Sequence, residues 1–227
     1  LISASQLLHL LQFASPALPV GGYSYSQALE AAIEQNEVRD AASAQAWIAA
    51  QLNEVIAQWD APLCWRLMHA YTQRDVQAVQ ELTERAVAAR DTSEFRAESI
   101  QMGYSLRKLI EELGIADEGV LEMLRASDDI PLPAAYACAV AALALPHEEA
   151  LLAMLFAWAE NQVLVFVKSI PLGQVAGQKI LLALRPALEQ AALHASTLAD
   201  EDMNNWTPGL SLLSMQHEVQ NGRIYRS

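Results

Sequence analysis

The chain is short of cysteine and of positive charge. Its 227 residues include two cysteines, and 14 lysines and arginines stand against 27 acidic side chains, a formal charge of −13. Two cysteines cannot make the dense bridging of a small secreted scaffold, and a chain of this length holds a core without bridges. Cys64 and Cys138 lie in Ala/Leu-rich helical patterns and are expected to be buried, reduced thiols, which fits a cytoplasmic protein. The acidic balance excludes the basic face of a nucleic-acid binder, and no local basic stripe offsets it. The longest unbroken apolar run, Ala134–Leu145, is too short for a membrane span, so no membrane helix is expected. The start at Leu1 carries no basic stretch; no signal peptide is expected there, and residues before it are expected to have been trimmed. With 18% charged and 53% hydrophobic residues, disorder is excluded.

Alternating strand patterns are absent as well. Ala, Leu, Gln and Glu fill nearly every segment, so the expected class is all-α: one globular bundle of about ten helices over 1–227, with 200–227 a C-terminal tail. The short Val163–Val167 run keeps helical spacing. Ile2–Phe13 reads as an amphipathic helix, and two prolines and two glycines keep Ser15–Tyr23 out of helix. Ser24-Tyr25-Ser26-Gln27 reads as a capping box opening a helix to about Gln35. Asp40 caps the next helix, and Asp60-Ala61-Pro62 restarts the chain. Further helices are predicted at about 76–89, 93–113 (stopped by Gly114), 118–125, 133–145 and 147–168. Pro171 opens a last long helix that Pro186 should kink or break.

Catalytic patterns are poor. Gly22-Tyr23-Ser24-Tyr25-Ser26 lacks the final glycine and the preceding strand of a nucleophile elbow, and a helix cap explains Ser24 without chemistry. No phosphate-binding glycine motif is present. His9, His69, His147, His194 and His217 are scattered without HExxH or any helical ligand spacing, and His217-Glu218 reads as a surface pair. No intrachain metal site and no cofactor are expected, although ligands shared across a dimer axis stay open. The carboxylate pairs, including Glu111-Glu112, Asp128-Asp129 and Asp200-Glu201-Asp202, fall at helix ends or turns, where solvation is the rule, and none of them lies in a pattern that would bury it. Lys168 closes a strongly apolar helix, where it serves either the helix dipole or a functional contact.

What remains is apolar and aromatic side chains in places where a monomer would put polar ones: Leu18-Pro19-Val20 beside Tyr23 and Tyr25, the Pro171-Leu172-Gly173 corner, and Ile224-Tyr225. The closing Arg223-Ile224-Tyr225-Arg226-Ser227 reads either as a mobile end or as a docking element.

Ser15–Glu30, with its S-P-A-L-P-V-G-G-Y-S-Y-S-Q-A-L-E, resembles the N-terminal signature of the urease accessory protein UreF family. Pro171-Leu172-Gly173-Gln174 followed by Gly177-Gln178-Lys179 resembles its central motif, and His217-Glu218 with Arg223–Ser227 its terminal H-E…R-L-F-R-S. The resemblance covers essentially the whole chain. Departures are mild: Tyr23 stands for phenylalanine, Ile224-Tyr225 for Leu-Phe, and Ala28 for glycine, a change expected only to strengthen a helix.

The resemblance implies a non-enzymatic, helical, dimeric chaperone. It would bind the accessory protein UreD (UreH), recruit the GTPase UreG and dock on apo-urease, so that nickel enters an active site with a carbamylated lysine. It implies partner contacts at Tyr23, Ser24, Tyr25 and Glu30, at Lys168, Pro171, Leu172, Gly173 and Gln174 on a UreG-facing side, and at Arg223, Ile224, Tyr225 and Arg226 in a tail ordered by UreD. An arginine finger toward the GTPase and an internal path for the metal are further implications; the acidic charge would attract a divalent cation. The competing readings are a small helical hydrolase using Ser24 or a carboxylate pair, and a direct nickel carrier.

Overall fold

The computed structural model describes residues 2–170 and 173–227. Pro171 and Leu172, two of the expected contact residues, lie outside the described residues. Among the described residues there is no strand, and the helices pack round one hydrophobic core.

Helix α1 (Ala4–Phe13) opens on a reciprocal cap between Ser3 and Gln6. A single 3-10 turn at Gly22–Ser24 precedes α2 (Leu29–Glu34). Asp40 and Ser43 cap α3 (Ala41–Gln51), and Asp75 caps α5 (Val76–Ala88). Thr92 caps α6 (Ser93–Leu113), which Gly114 ends at φ 60° as the sequence predicts, and Asp117 caps α7 (Glu118–Arg125). The centre is built from α4 (Ala61–Gln73) against α8 (Leu132–Ala142), with α6 on the far side of α8. The alanines of α8 leave room for large side chains from α4: Leu63, Leu67, Met68 and Tyr71 are fully enclosed. Each such side chain contributes roughly 1.5–3 kcal/mol by leaving water.

The long pair α9 (His147–Ser169) and α10 (Gly173–Thr197) lies along this core, and α11 (Pro208–Glu218) crosses α2 and α6. Gly177 sets the α9–α10 approach: a Cβ there would stand 2.8 Å from Val167 and 2.9 Å from Val163. Contrary to the sequence expectation, α9 is long and apolar enough to cross a membrane by length and composition, with a mean hydropathy of 1.7 over 18 residues. Its place between the core and α10 accounts for that composition, since its inner face includes the buried Leu151, Leu155, Ala159, Val163 and Phe166.

Four local expectations are corrected. Asp60-Ala61-Pro62 does not restart the chain; Leu52–Asp60 forms a π-helical stretch running straight into α4. There the Ala61 amide reaches back to Ile56, and the wider turn accommodates a proline that has no amide to donate. Pro186 does not break α10, because the carbonyl it leaves free belongs to the exposed Leu182, where water can reach it, while Leu181, Leu184 and Leu188 stay buried on the inner face. Ser24–Gln27 does not open a helix: Gln27 and Ala28 have φ of 52° and 65°, and α2 starts only at Leu29. Ala28 therefore occupies a left-handed position that glycine adopts more readily, and strengthens no helix.

Both cysteines are free, buried thiols. Burial pushes the Cys64 thiol far up, with the Asp60 charge adding to it, and burial followed by the Asp117 charge pushes Cys138 up to about 12, so neither is a nucleophile at neutral pH.

Candidate functional site

Three carboxylates from two helices converge beneath the end of the chain. Glu30 lies on the buried face of α2, while Glu94 and Glu98 are one turn apart on α6 and so share a face. All three are nearly buried, and none belongs to the carboxylate pairs singled out in the sequence. Burial is tolerable here because every one of them is hydrogen-bonded.

Glu30 is the anchor. Its Oε1 accepts the Ile224 amide at 2.7 Å and its Oε2 the Tyr225 amide at 2.9 Å, so one carboxylate holds two successive backbone donors of the tail. Oε2 also lies 3.0 Å from Nε2 of His217, whose Nδ1 is 2.8 Å from Glu94 Oε2. His217 is completely buried, which corrects its reading as half of a surface pair. With a carboxylate oxygen at each ring nitrogen, His217 bridges Glu30 and Glu94 in one row. Arg223 donates to the other oxygen of Glu94 at 2.6 Å and brings a cation to the cluster.

Beside this row the tail pairs with the N-terminal signature through its backbone. The Arg226 amide donates to the Ser24 carbonyl at 2.8 Å and the Ser26 amide to the Ser227 carbonyl at 2.7 Å. The Ser26 hydroxyl donates to the same Ser227 carbonyl, and Ser227 Oγ donates to Glu98 at 2.6 Å. Glu98 also accepts from Gln27, whose own carbonyl accepts the Trp158 indole of α9 at 2.7 Å. This explains the left-handed pair at Gln27-Ala28: the turn delivers the Gln27 amide inward between α6 and α9. Burial raises Glu98 above the usual carboxylate range, partly offset by the hydrogen bonds from Ser227 and Gln27 and by the Arg90 charge.

The sequence-predicted residues therefore divide. Glu30, Arg223, Ile224 and Tyr225 meet in one cluster, and Ser24 and Arg226 meet through their backbones. Tyr25 is buried, its phenol raised by burial against a lowering hydrogen bond from Arg226, and Tyr225 is buried and raised by burial as well. Ile224 points out at 74% exposure. Tyr23 is exposed, with Lys168 Nζ 6.0 Å from its ring centroid, so the N-terminal signature and the end of α9 adjoin. Gly173, at φ 58°, and Gln174 are exposed at the start of α10.

Sequence reasoning missed Ser26, Gln27, Glu94, Glu98 and Ser227 as members of this cluster. The i, i+4 spacing of Glu94 and Glu98 was the available signal, but it also describes a solvated helix face. It missed a surface feature too. Leu212 and Met215 on α11, and Val219 capping its end, follow at i, i+3, i+7 and are 59%, 49% and 79% exposed. Ile224 and the 82%-exposed Trp206 add to the apolar surface of this C-terminal region.

No catalytic constellation accompanies these groups. Among the described residues, no hydrogen bond joins the Ser24 hydroxyl to an imidazole or carboxylate, and the surface acids Glu111, Asp129 and Asp200 are tied to Arg125, Arg96 and Arg66. Fold and site together define an all-helical body with a clasped C-terminus and an exposed apolar stripe.

The comparisons with known proteins agree with that class. The UreF family profile matches residues 38–185. The urease accessory protein UreF of Janthinobacterium sp. (strain Marseille) is 59% identical over the full length of both chains. Those of Nitrosospira multiformis and Cupriavidus metallidurans are 54% and 45% identical, over 97% and 98% of each chain. The chain belongs to the UreF family of urease accessory proteins, a non-catalytic chaperone family of urease maturation.

Proposed function

We propose that this chain is the scaffold of a urease-maturation assembly. It binds UreD through its C-terminal region, recruits UreG on the Tyr23–Lys168–Gly173 side and docks the assembly on apo-urease, where nickel is the cargo. It acts in the cytoplasm as a homodimer, without a cofactor of its own.

The observation that carries this reading is the stripe Leu212–Met215–Val219, with Ile224 exposed on the neighbouring tail. In a chain of net charge −13, four exposed aliphatic residues in one C-terminal region are costly to leave in water and mark a partner surface. The clasp underneath gives that surface a fixed shape, because Glu30 ties down the backbone at the residue that points Ile224 outward. A preorganised surface loses less entropy on binding than a mobile tail would. The exposed Tyr23 and Lys168 offer an aromatic and a cation at a second place, which suits a separate partner.

Co-expression with UreD and UreG tests the reading. Ile224→Asp and Met215→Asp place charges on the apolar surface without touching the clasp, and each should lose UreD and, with it, UreG. Lys168→Glu should lose UreG alone. Full retention of UreD by both aspartate variants would move the docking surface elsewhere on the body.

A further inference from the structure

The fold undoes the scattered look of two histidines. His69, on the third turn of α4, and His147, the first residue of α9, have ring centroids 4.4 Å apart at an interplanar angle of 84°. Trp65, one turn before His69, packs edge-on against both, at 4.8 Å from His69 and 5.8 Å from His147. His147 Nε2 is 3.0 Å from Thr72 Oγ1, a hydrogen bond that limits rotation of its ring. Both imidazoles are half-buried at the surface, and neither has an ion-pair partner among the described residues.

We propose that His69 and His147 form a two-imidazole site for a first-row divalent transition cation, at the corner between α4 and α9. Imidazole nitrogen is the side-chain donor best suited to such ions, which it binds at about 2.0–2.1 Å. Two rings with centres 4.4 Å apart are near enough for one nitrogen of each to reach a common ion after rotation about χ, and Nδ1 is the His147 nitrogen that its bond to Thr72 leaves available. The two helices do not have to move, because α4 and α9 are fixed by the core beneath them.

Among the described residues no group of three His, Cys, Asp or Glu gathers to hold a metal ion, so the site is open and water completes it. An open two-ligand site holds its ion less tightly than a closed four-ligand site and releases it readily. The net charge of −13 raises the local concentration of divalent cations around it. This site is separate from the clasp, whose single histidine is enclosed between carboxylates. It does not depend on the partner reading, and its test uses the isolated full chain.

Ni2+ is the probe, titrated into the full chain labelled with 15N-histidine at neutral pH. The imidazole resonances of His69 and His147 should broaden together, at lower Ni2+ than those of His9, His194 and His217. Tryptophan fluorescence should be quenched over the same range, with that quenching lost in Trp65→Phe. His69→Ala and His147→Gln should each shift the midpoint upward about tenfold or more, because one ligand of a chelate then acts alone. His147→Gln can still accept at the helix start, so it reports even if His69→Ala folds poorly by circular dichroism. Broadening of one ring alone, equal broadening of every accessible imidazole, or an unchanged midpoint in the double variant would overturn the proposal, leaving an aromatic packing cluster with adventitious metal binding.

Discussion

Glu30 on α2 and His217 on α11 are 187 positions apart in the chain, and their Oε2 and Nε2 atoms are 3.0 Å apart in space. That contact joins the first and last motifs of the sequence. One carboxylate then does two things: it holds a buried imidazole in place and caps the two tail amides beside it. The tail is thereby built into the body through Tyr225 and Ser227, while Ile224 is turned outward.

His217→Ala should unclasp the tail. It leaves Glu30 and Glu94 facing each other without the imidazole that bridges them, and removing the shared partner of two buried carboxylates costs about 3–5 kcal/mol. The loss should be local first, because the tail is the element the network holds. Hydrogen exchange at the Ile224 and Tyr225 amides should speed up by on the order of a hundredfold, about 3 kcal/mol, before the core amides of α4 and α8 change. Equal acceleration in α4 would show that His217 supports the whole bundle rather than the tail.

Glu98 gives the clasp a pH dependence of known sign. Its folded-state pKa is raised above the ordinary carboxylate value, mainly by burial. Such a group contributes stability that is fully present below its unfolded pKa and is lost as pH rises through the folded value. Global stability, followed by chemical denaturation, should therefore carry a component that falls with rising pH, beginning just above the usual carboxylate range. Glu98→Gln should remove that component while keeping the Ser227 and Gln27 partners within reach. A variant with the parental pH profile would assign the slope to another group.

Much of the fold was legible because it follows from caps and periodicity. Asp40, Asp75, Thr92 and Asp117 stand as N-caps, and Gly114 ends its helix, each by a side chain or backbone property that acts within four residues. The misreadings share the opposite cause. Ser24–Gln27 looks like a capping box, yet Ser26 is bound to Ser227 and Gln27 to Glu98 and Trp158, so distant partners set the backbone there. The contact between His69 and His147 is invisible for the same reason, since only the packing of α4 on α9 creates it. Membership of the family could be read from the motifs; why Glu30 and His217 belong to them required the fold.

The left-handed positions make a stability prediction. Ala144, exposed at φ 48° after α8, carries a Cβ where glycine is free of strain, so Ala144→Gly should stabilise the chain by about 1 kcal/mol. Ala28, at φ 65°, is fully buried, so Ala28→Gly relieves similar strain and loses a buried methyl worth about 0.8 kcal/mol. Its thermal midpoint should stay near the parental value. Were Ala28 inside a helix, the same change would cost about 1 kcal/mol in propensity on top of the methyl. Two melting curves separate these cases.

Asp60 and Arg90 form an ion pair that is mostly buried, with side chains 14% and 16% exposed, in the wall of a cavity of about 220 Å³ beneath Tyr23 and Gln27. Burial opposes the Arg90 charge, but the charge of Asp60 and its hydrogen bond outweigh it, and the guanidinium stays above its ordinary pKa. Arg90 is therefore charged at any physiological pH and depends on Asp60 for its partner. Asp60→Ala should destabilise the fold by about 3–5 kcal/mol, because it strands that charge in a largely apolar wall. Arg90→Met in the same background removes the stranded charge and should recover most of the loss. If the double variant is no more stable than Asp60→Ala alone, Asp60 matters for the π-helical junction it ends rather than for the pair. Denaturation midpoints of the two single variants and the double, combined as a cycle, decide between the two roles.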